Sequence, residues 1–227
     1  MARERDRILG IVSHEMRQSL SAALAARHIL AERGTDAVAV KAADVLDRQL
    51  GHLTKLVELL LDYSRLMVGT ATIETKRVDV REIVRETVDA YEPTAQSEHI
   101  ELSISCSDAP QAITGDGTRL RQLVSNLLHN AIRYTPAGGR VRCATLTRDG
   151  AVHIVVTDSG AGIAADDVER IFEPFTRAAT GGRGLGVGLA IAQRIAHLHG
   201  GSITASSDGL GRGSTFTVVL PLSSPAA

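Results

Sequence analysis

Tryptophan is absent from this chain of 227 residues, and aromatic side chains make up only 3% of it. Aliphatic residues and alanine must therefore build whatever core exists. Cysteine is nearly as scarce. Cys106 and Cys143 stand apart in apolar-alternating stretches, which argues against a disulfide framework or a cysteine metal site and marks both as buried structural thiols. A dominant charge is also missing: 25 Lys and Arg face 26 Asp and Glu, a formal net charge of −1. No strong field recruits nucleic acid or an acidic membrane surface. No apolar run approaches the roughly 18 residues that span a bilayer, and no signal-peptide pattern opens the sequence. The expectation is a reducing, cytoplasmic setting, with no membrane segment in this chain and no nucleic acid partner.

What is present falls into two patterns. From about residue 4 to 67 the sequence reads as two helices joined by a turn around Arg33-Gly34-Thr35-Asp36. In the second helix Leu46, Leu50, Leu53, Val57, Leu60, Ser64 and Met67 recur at gaps of four and three, a heptad seam. Leu9, Val12, Met16, Ser19, Ala23, Ala26 and Leu30 follow the same rule in the first helix. A two-helix hairpin cannot enclose a core by itself. Pairing two hairpins into an antiparallel four-helix bundle buries both seams, so residues 1–70 predict a homodimerisation module.

The stretch after Gly69, through about Lys76, reads as a linker, and residues 77–222 as a second domain. A helix is predicted over Val80 to Gln96, with strands near Ile100–Cys106, Arg140–Thr147 and Val152–Asp158. A further helix, Gly188 to His199, precedes strands at Ser202–Ser206 and Thr215–Leu220. Mixed helices and mostly antiparallel strands give an α+β layered sandwich.

Three motifs in this second domain carry chemistry. On a helix, Leu120, Leu123, Val124, Leu127, Leu128 and Ala131 cluster on one face. Asn126, Asn130 and Arg133 fall on a second stripe about 120° away. Amide oxygens can ligate Mg2+, a hard cation that shares its shell with phosphates, and a guanidinium suits phosphate oxygens. Downstream, Asp158 ends a strand and opens an Asp-Ser-Gly-Ala-Gly turn. The third motif, Gly181 to Gly188, places five glycines in eight positions before an apolar-periodic helix. Exposed backbone N–H groups and a helix N-terminus favour a triphosphate. The glycines also supply a hinge for a lid.

These motifs resemble those of the sensor histidine kinases. Asn126-Leu-Leu-His-Asn130-Ala-Ile-Arg133-Tyr134-Thr135 looks like their N box, and Asp158-Ser-Gly160-Ala-Gly162 their first glycine box. Phe172-Glu-Pro-Phe175 resembles the phenylalanine box, and Gly184-Leu-Gly186-Val-Gly188-Leu189 the second glycine box. Gly211-Arg-Gly213-Ser-Thr215-Phe resembles the last glycine box, and Ser13-His14-Glu15-Met16-Arg17 the phosphoacceptor motif. The resemblance implies a Bergerat-type ATPase fold that binds ATP and Mg2+ under a mobile lid. It also implies autophosphorylation of His14 and transfer to an aspartate of a response-regulator receiver domain. An upstream sensor domain or protein would supply the input, and the chain could be the cytoplasmic part of such a sensor.

In that frame each site residue receives a role. Asn126 and Asn130 would hold the metal, and Arg133 a phosphate. Asp158 would accept from the adenine amino group, where guanine offers a carbonyl, while Gly160 and Gly162 let backbone approach the base. Gly184, Gly186, Gly188 and Leu189 would meet the triphosphate, and Thr215 would complete the cofactor set. Tyr134 suits base stacking and core packing equally, and Arg177 and Arg183 suit phosphate contact or a solvated lid. His14 lies about 180° from the seam, facing solvent, with a reference pKa of about 6.5 that leaves a lone pair near neutral pH. The resemblance makes Glu15 the base for its other proton.

Two positions depart from the family's pattern. Gln18 and Ser19 stand where Thr or Asn, then Pro, are usual. Ser19 restores a regular helical ladder, and Gln18 either orients water in dephosphorylation or is a solvated amide. Two other functions compete with the kinase: a Bergerat-fold protein serine kinase, and a degenerate ATP-binding dimer that regulates a partner.

Overall fold

A computed structural model of the chain describes residues 16, 20–30, 39–47, 49–51, 53–54, 57, 73–176 and 186–223. The chain divides into two compact units, with the boundary between Arg65 and Leu66. In the first unit, residues 20–30 form α1, and every described position from 39 to 57 belongs to α2. The turn predicted around Gly34 and the seam residues Leu9, Val12, Ser19, Leu60, Ser64 and Met67 lie outside the described residues. Ala23 and Ala26 are buried, as the seam requires, and so are Ala39 and Ala42. Leu46 and Leu53 are half-buried one and two heptads on from Ala39. Three other seam residues, Met16, Leu50 and Val57, are exposed on the single chain, as are Leu20 and Leu24.

The second unit runs β1 (Lys76–Asp79), α3 (Val80–Ser97), β2 (Glu101–Cys106), β3 (Ala112–Gly115), α4 (Gly117–Tyr134), β4 (Arg140–Arg148) and β5 (Ala151–Asp158). After two short 3-10 turns come α5 (Gly188–Leu198), β6 (Ser202–Ser206) and β7 (Ser214–Pro221). Five strands form one sheet in the order β2-β4-β5-β7-β6, in which only β2 and β4 pair in parallel. Helix α3 lies over β2 and β4, α4 over β4 and β5, and α5 over β6 and β7. Period-two alternation turns Val152, Ile154 and Val156 of β5, and Phe216, Val218 and Leu220 of β7, toward those helices. The α+β sandwich expected from the sequence is the observed architecture.

Strands β1 and β3 were not expected. They form a separate two-stranded antiparallel sheet in place of the end of the linker. Lys-Arg-Val-Asp is too short and too charged to show an alternating pattern, and its pairing is secured from outside by side chains. Asp79 caps α3 by accepting from the Arg81 N–H at 3.0 Å and also takes the Gln111 N–H at 3.3 Å. The Arg81 guanidinium closes on the same carboxylate at 2.7 Å and holds it below the usual carboxylate range.

Cys143 is buried and Cys106 half-buried, both as thiols. Burial pushes the Cys143 thiol up to about 12, with a smaller push from Cys106, so it remains protonated.

Candidate functional site

Helix α4 carries the site, and its start is fixed by Asp116, whose Oδ1 accepts from the Thr118 and Arg119 N–H groups at 2.9 and 3.1 Å. Leu120, Leu123, Val124, Leu127, Leu128 and Ala131 are all buried, so the apolar face is the one the periodicity marked. Asn126, Asn130, Arg133 and Tyr134 are half-buried on the remaining surface. The Asn126 amide Nδ2 donates to the Gly188 carbonyl at the start of α5, 3.0 Å away. That bond orients the amide and leaves Oδ1 as an acceptor. The Arg133 guanidinium sits 5.8 Å from the centroid of the Tyr134 ring, within cation–π range.

At the end of β5, Asp158 is only 6% exposed. Its Oδ1 accepts from the Gly160 N–H at 2.8 Å and the Ser214 N–H at 3.3 Å, and the Ser214 hydroxyl donates to Oδ2. The carboxylate is thereby locked in one orientation without a cationic partner among the described residues. Glycine is needed at 160 and 162 because a Cβ there would strike the protein's own backbone, the Tyr134 and Gly209 carbonyls respectively. Gly162 also takes a φ of 69°, in the left-handed region. The turn is thus clamped against the end of α4 on one side and the β6–β7 connection on the other. Ser207 holds that connection, accepting from the Ile163 N–H at 3.0 Å and donating to the Gly213 carbonyl at 2.6 Å.

Helix α5 begins at Gly188 with no side-chain cap, so the N–H groups of its first turn lack a capping acceptor. Just before it, the Phe175 N–H donates to the Gly186 carbonyl at 2.9 Å, joining the two described ends that flank residues 177–185. Phe172 stacks edge-to-face on Phe216 with centroids 6.4 Å apart, anchoring the near end in the core.

The structure brings Asn126, Gly188 and the first turn of α5 together, and places Asp158, Gly160 and Gly162 in one turn beside the end of α4. Thr215 lies elsewhere. It pairs with Thr157 on the opposite face of the sheet from Asp158, the hydroxyls 3.2 Å apart. Its neighbour Ser214, not singled out from the sequence, is the residue that meets Asp158. The period-two run Ser214, Phe216, Val218, Leu220 was the signal that assigns Ser214 to the inner face. His14, Glu15, Gln18, Gly184, Arg177 and Arg183 lie outside the described residues. Among the described residues no group of three His, Cys, Asp or Glu side chains could hold a metal, so a cation here would rely on amide and phosphate oxygens.

Comparison with known proteins finds both halves. Residues 4–69 match the His Kinase A phospho-acceptor domain, and residues 115–224 match the histidine kinase-, DNA gyrase B- and HSP90-like ATPases. The chain belongs to the histidine kinases. It is 31% identical to the histidine protein kinase DivJ of Caulobacter vibrioides, over 98% of this chain and 38% of that kinase. To the sensor histidine kinase RppB of Synechocystis it is 40% identical, over 78% of this chain and 40% of RppB. The chain therefore spans about two fifths of the length of these two kinases. Among solved structures, full-length ShkA in complex with AMPPNP superposes with a TM-score of 0.74 at 29% identity, covering 98% of this chain and 47% of ShkA. No described helix of this histidine kinase core is long and apolar enough to cross a membrane.

Proposed function

We propose that this chain is a working kinase core, which binds Mg-ATP, phosphorylates His14 and passes the phosphoryl group to an aspartate of a response-regulator receiver domain. The observation that carries this reading is the Asn126 amide, turned by the Gly188 carbonyl so that its oxygen remains for a hard cation at the start of an uncapped helix. An aliphatic side chain there could make neither contact. Asn130, one turn further on, adds a second amide oxygen suited to Mg2+. Arg133 and the first turn of α5, Gly188 and Leu189, bind phosphate oxygens.

Asp158 recognises adenine. Its carboxylate is an acceptor held in place by Ser214 and Gly160, and it selects an amino group over a carbonyl. Transfer depends mainly on positioning and charge neutralisation. A neutral nitrogen of His14 attacks the γ-phosphorus, the bond to the β-phosphate oxygen breaks, and ADP leaves. Glu15 takes the proton from the other ring nitrogen. In the second step a receiver carboxylate attacks the phosphohistidine, and the imidazole is released. Leu20, Leu24, Leu50 and Val57, exposed on one chain, supply the apolar surface of a homodimer. The input comes from a sensor domain or protein, in a cytoplasmic setting.

Incubation with γ-labelled ATP tests this directly. Wild type gains an acid-labile, base-stable label, whereas His14→Ala and Asn130→Ala gain none, and Asn130→Ala also loses nucleotide binding. Undiminished label on His14→Ala would defeat the assignment, and an acid-stable label would indicate a serine kinase.

A further inference from the structure

His199 is one of eight histidines, and nothing above gives it a task. It ends α5 and is only 8% exposed, yet both ring nitrogens are engaged. Nδ1 lies 2.8 Å from the Ile195 carbonyl and must donate to it, because a carbonyl only accepts. Nε2 lies 2.9 Å from the Asp116 N–H and must accept from it. The two bonds are compatible only in the neutral tautomer with the proton on Nδ1. The ring lies against Gly115, where any Cβ would meet His199 Cδ2 at 2.6 Å. The following residues continue the clamp. Gly200 turns the chain with a φ of 71°, and Gly201 packs so closely on the Val219 carbonyl that no side chain fits.

The Asp116 N–H belongs to the residue that caps α4, so His199 ties the end of α5 to the start of α4. The Asn126–Gly188 bond ties the start of α5 to the middle of α4. At the helical rise these tie points are about 15 Å apart along α4 and about 16 Å apart along α5. Two bonds with matched spacing fix both the separation and the sliding of one helix along the other. We infer that His199 is a positioning residue: its Nε2 acceptor holds α4 and α5 in the register that keeps the Asn126 amide against Gly188, and so sets the geometry of the nucleotide site. Only the nucleotide readout of this inference rests on the proposed function.

The test uses the full chain with His199→Phe, which keeps a flat ring without an acceptor, and His199→Gln, whose Oε1 lies as many bonds from Cα as Nε2. In ligand-free protein the 15N ring shifts of wild-type His199 should show a protonated Nδ1 and a bare Nε2. The side-chain amide resonance of Asn126 should move in His199→Phe and return toward wild type in His199→Gln. Affinity for Mg-AMPPNP should fall about tenfold or more in His199→Phe and recover to within about threefold in His199→Gln, with KM for ATP changed more than kcat. A proton on Nε2 in wild type overturns the inference. So does an unmoved Asn126 resonance in His199→Phe, or a glutamine variant as impaired as the phenylalanine one. If His199→Phe does not fold, the wild-type tautomer and the glutamine variant decide. If wild type binds no nucleotide, the proposed function falls, and the Asn126 resonance still judges the positioning role.

Discussion

Among the described residues of the N-terminal unit the buried ones are Ala23, Ala26, Ala39 and Ala42, whereas the α/β unit buries Leu120, Leu123, Leu127, Ile191, Ile195 and Phe216 almost completely. Leu24 and Leu50 of the first unit are 52% and 49% exposed. Apolar burial stabilises by roughly 25 cal/mol per Å2, so these four alanines contribute little against the entropy of ordering the helical residues described around them. The α/β unit closes its core with its own side chains. Among its described residues the helical unit leaves Leu20, Leu24, Leu50 and Val57 uncovered, as a half-interface would. Under the proposed function, one unit holds a nucleotide as a single chain and the other is completed by a second copy.

The strongest way to break this contrast is to damage one unit and watch the other. Leu127→Ala removes a fully buried leucine from the centre of α4 and should cost about 2–5 kcal/mol of the α/β unit's stability. Denaturant titration followed by near-ultraviolet signals from Tyr91 and Tyr134 should show that loss, while the oligomeric state in native buffer stays that of wild type. A loss below about 1 kcal/mol would mean that α4 is not the spine of a closed core.

The reciprocal experiment acts on the helices. Leu50→Lys combined with Val57→Lys places two charges on the uncovered stripe of α2 and should weaken dimerisation at least tenfold, or about 1.4 kcal/mol, read by sedimentation equilibrium. Melting of the α/β unit should not move. An unchanged dimer would place the interface elsewhere and leave the exposed leucines unexplained.

Much of the α/β unit was legible because its signals are periodic. The α4 stripe, the alternation in β5 and β7, and the Asp158 turn each follow from spacing alone. What the sequence did not disclose depends on contacts between distant residues. β1 and β3 pair across an intervening helix and strand, and their register is held by Asp79 reaching Gln111. Thr215 and Ser214 are adjacent, and only the strand's phase decides which hydroxyl reaches Asp158. His199 looked like an ordinary helix-end histidine because its partner, the Asp116 N–H, is a backbone group that carries no side-chain signature. In the helical unit the heptads were visible, but the split between alanines covered within one chain and leucines left outside was not.

The smallest effect concerns the small sheet that the sequence concealed, and it tests whether the α/β unit is closed by its own charges as well as its core. Arg81 lowers the pKa of Asp79, chiefly through their hydrogen bond, so the carboxylate is more acidic folded than an ordinary aspartate. A group with a depressed folded pKa contributes stability that is present above the unfolded pKa and lost as pH falls through the folded one. Asp79→Ala removes a helix cap and half of the ion pair, at about 1 kcal/mol near neutral pH. The gap from wild type should therefore hold from pH 7 down to about 4 and shrink below it, as the wild-type carboxylate takes up a proton. Urea titrations of both proteins at about pH 7, 5 and 3 measure it. A gap that stays constant to pH 3 would mean that Asp79 caps α3 equally well without its charge. The seal between the small sheet and α3 would then owe nothing to the Arg81–Asp79 pair, and the ties left to Arg81 across that edge would be those of its Nη1, to the Asp108 carbonyl at 2.7 Å and the Ser107 carbonyl at 3.5 Å.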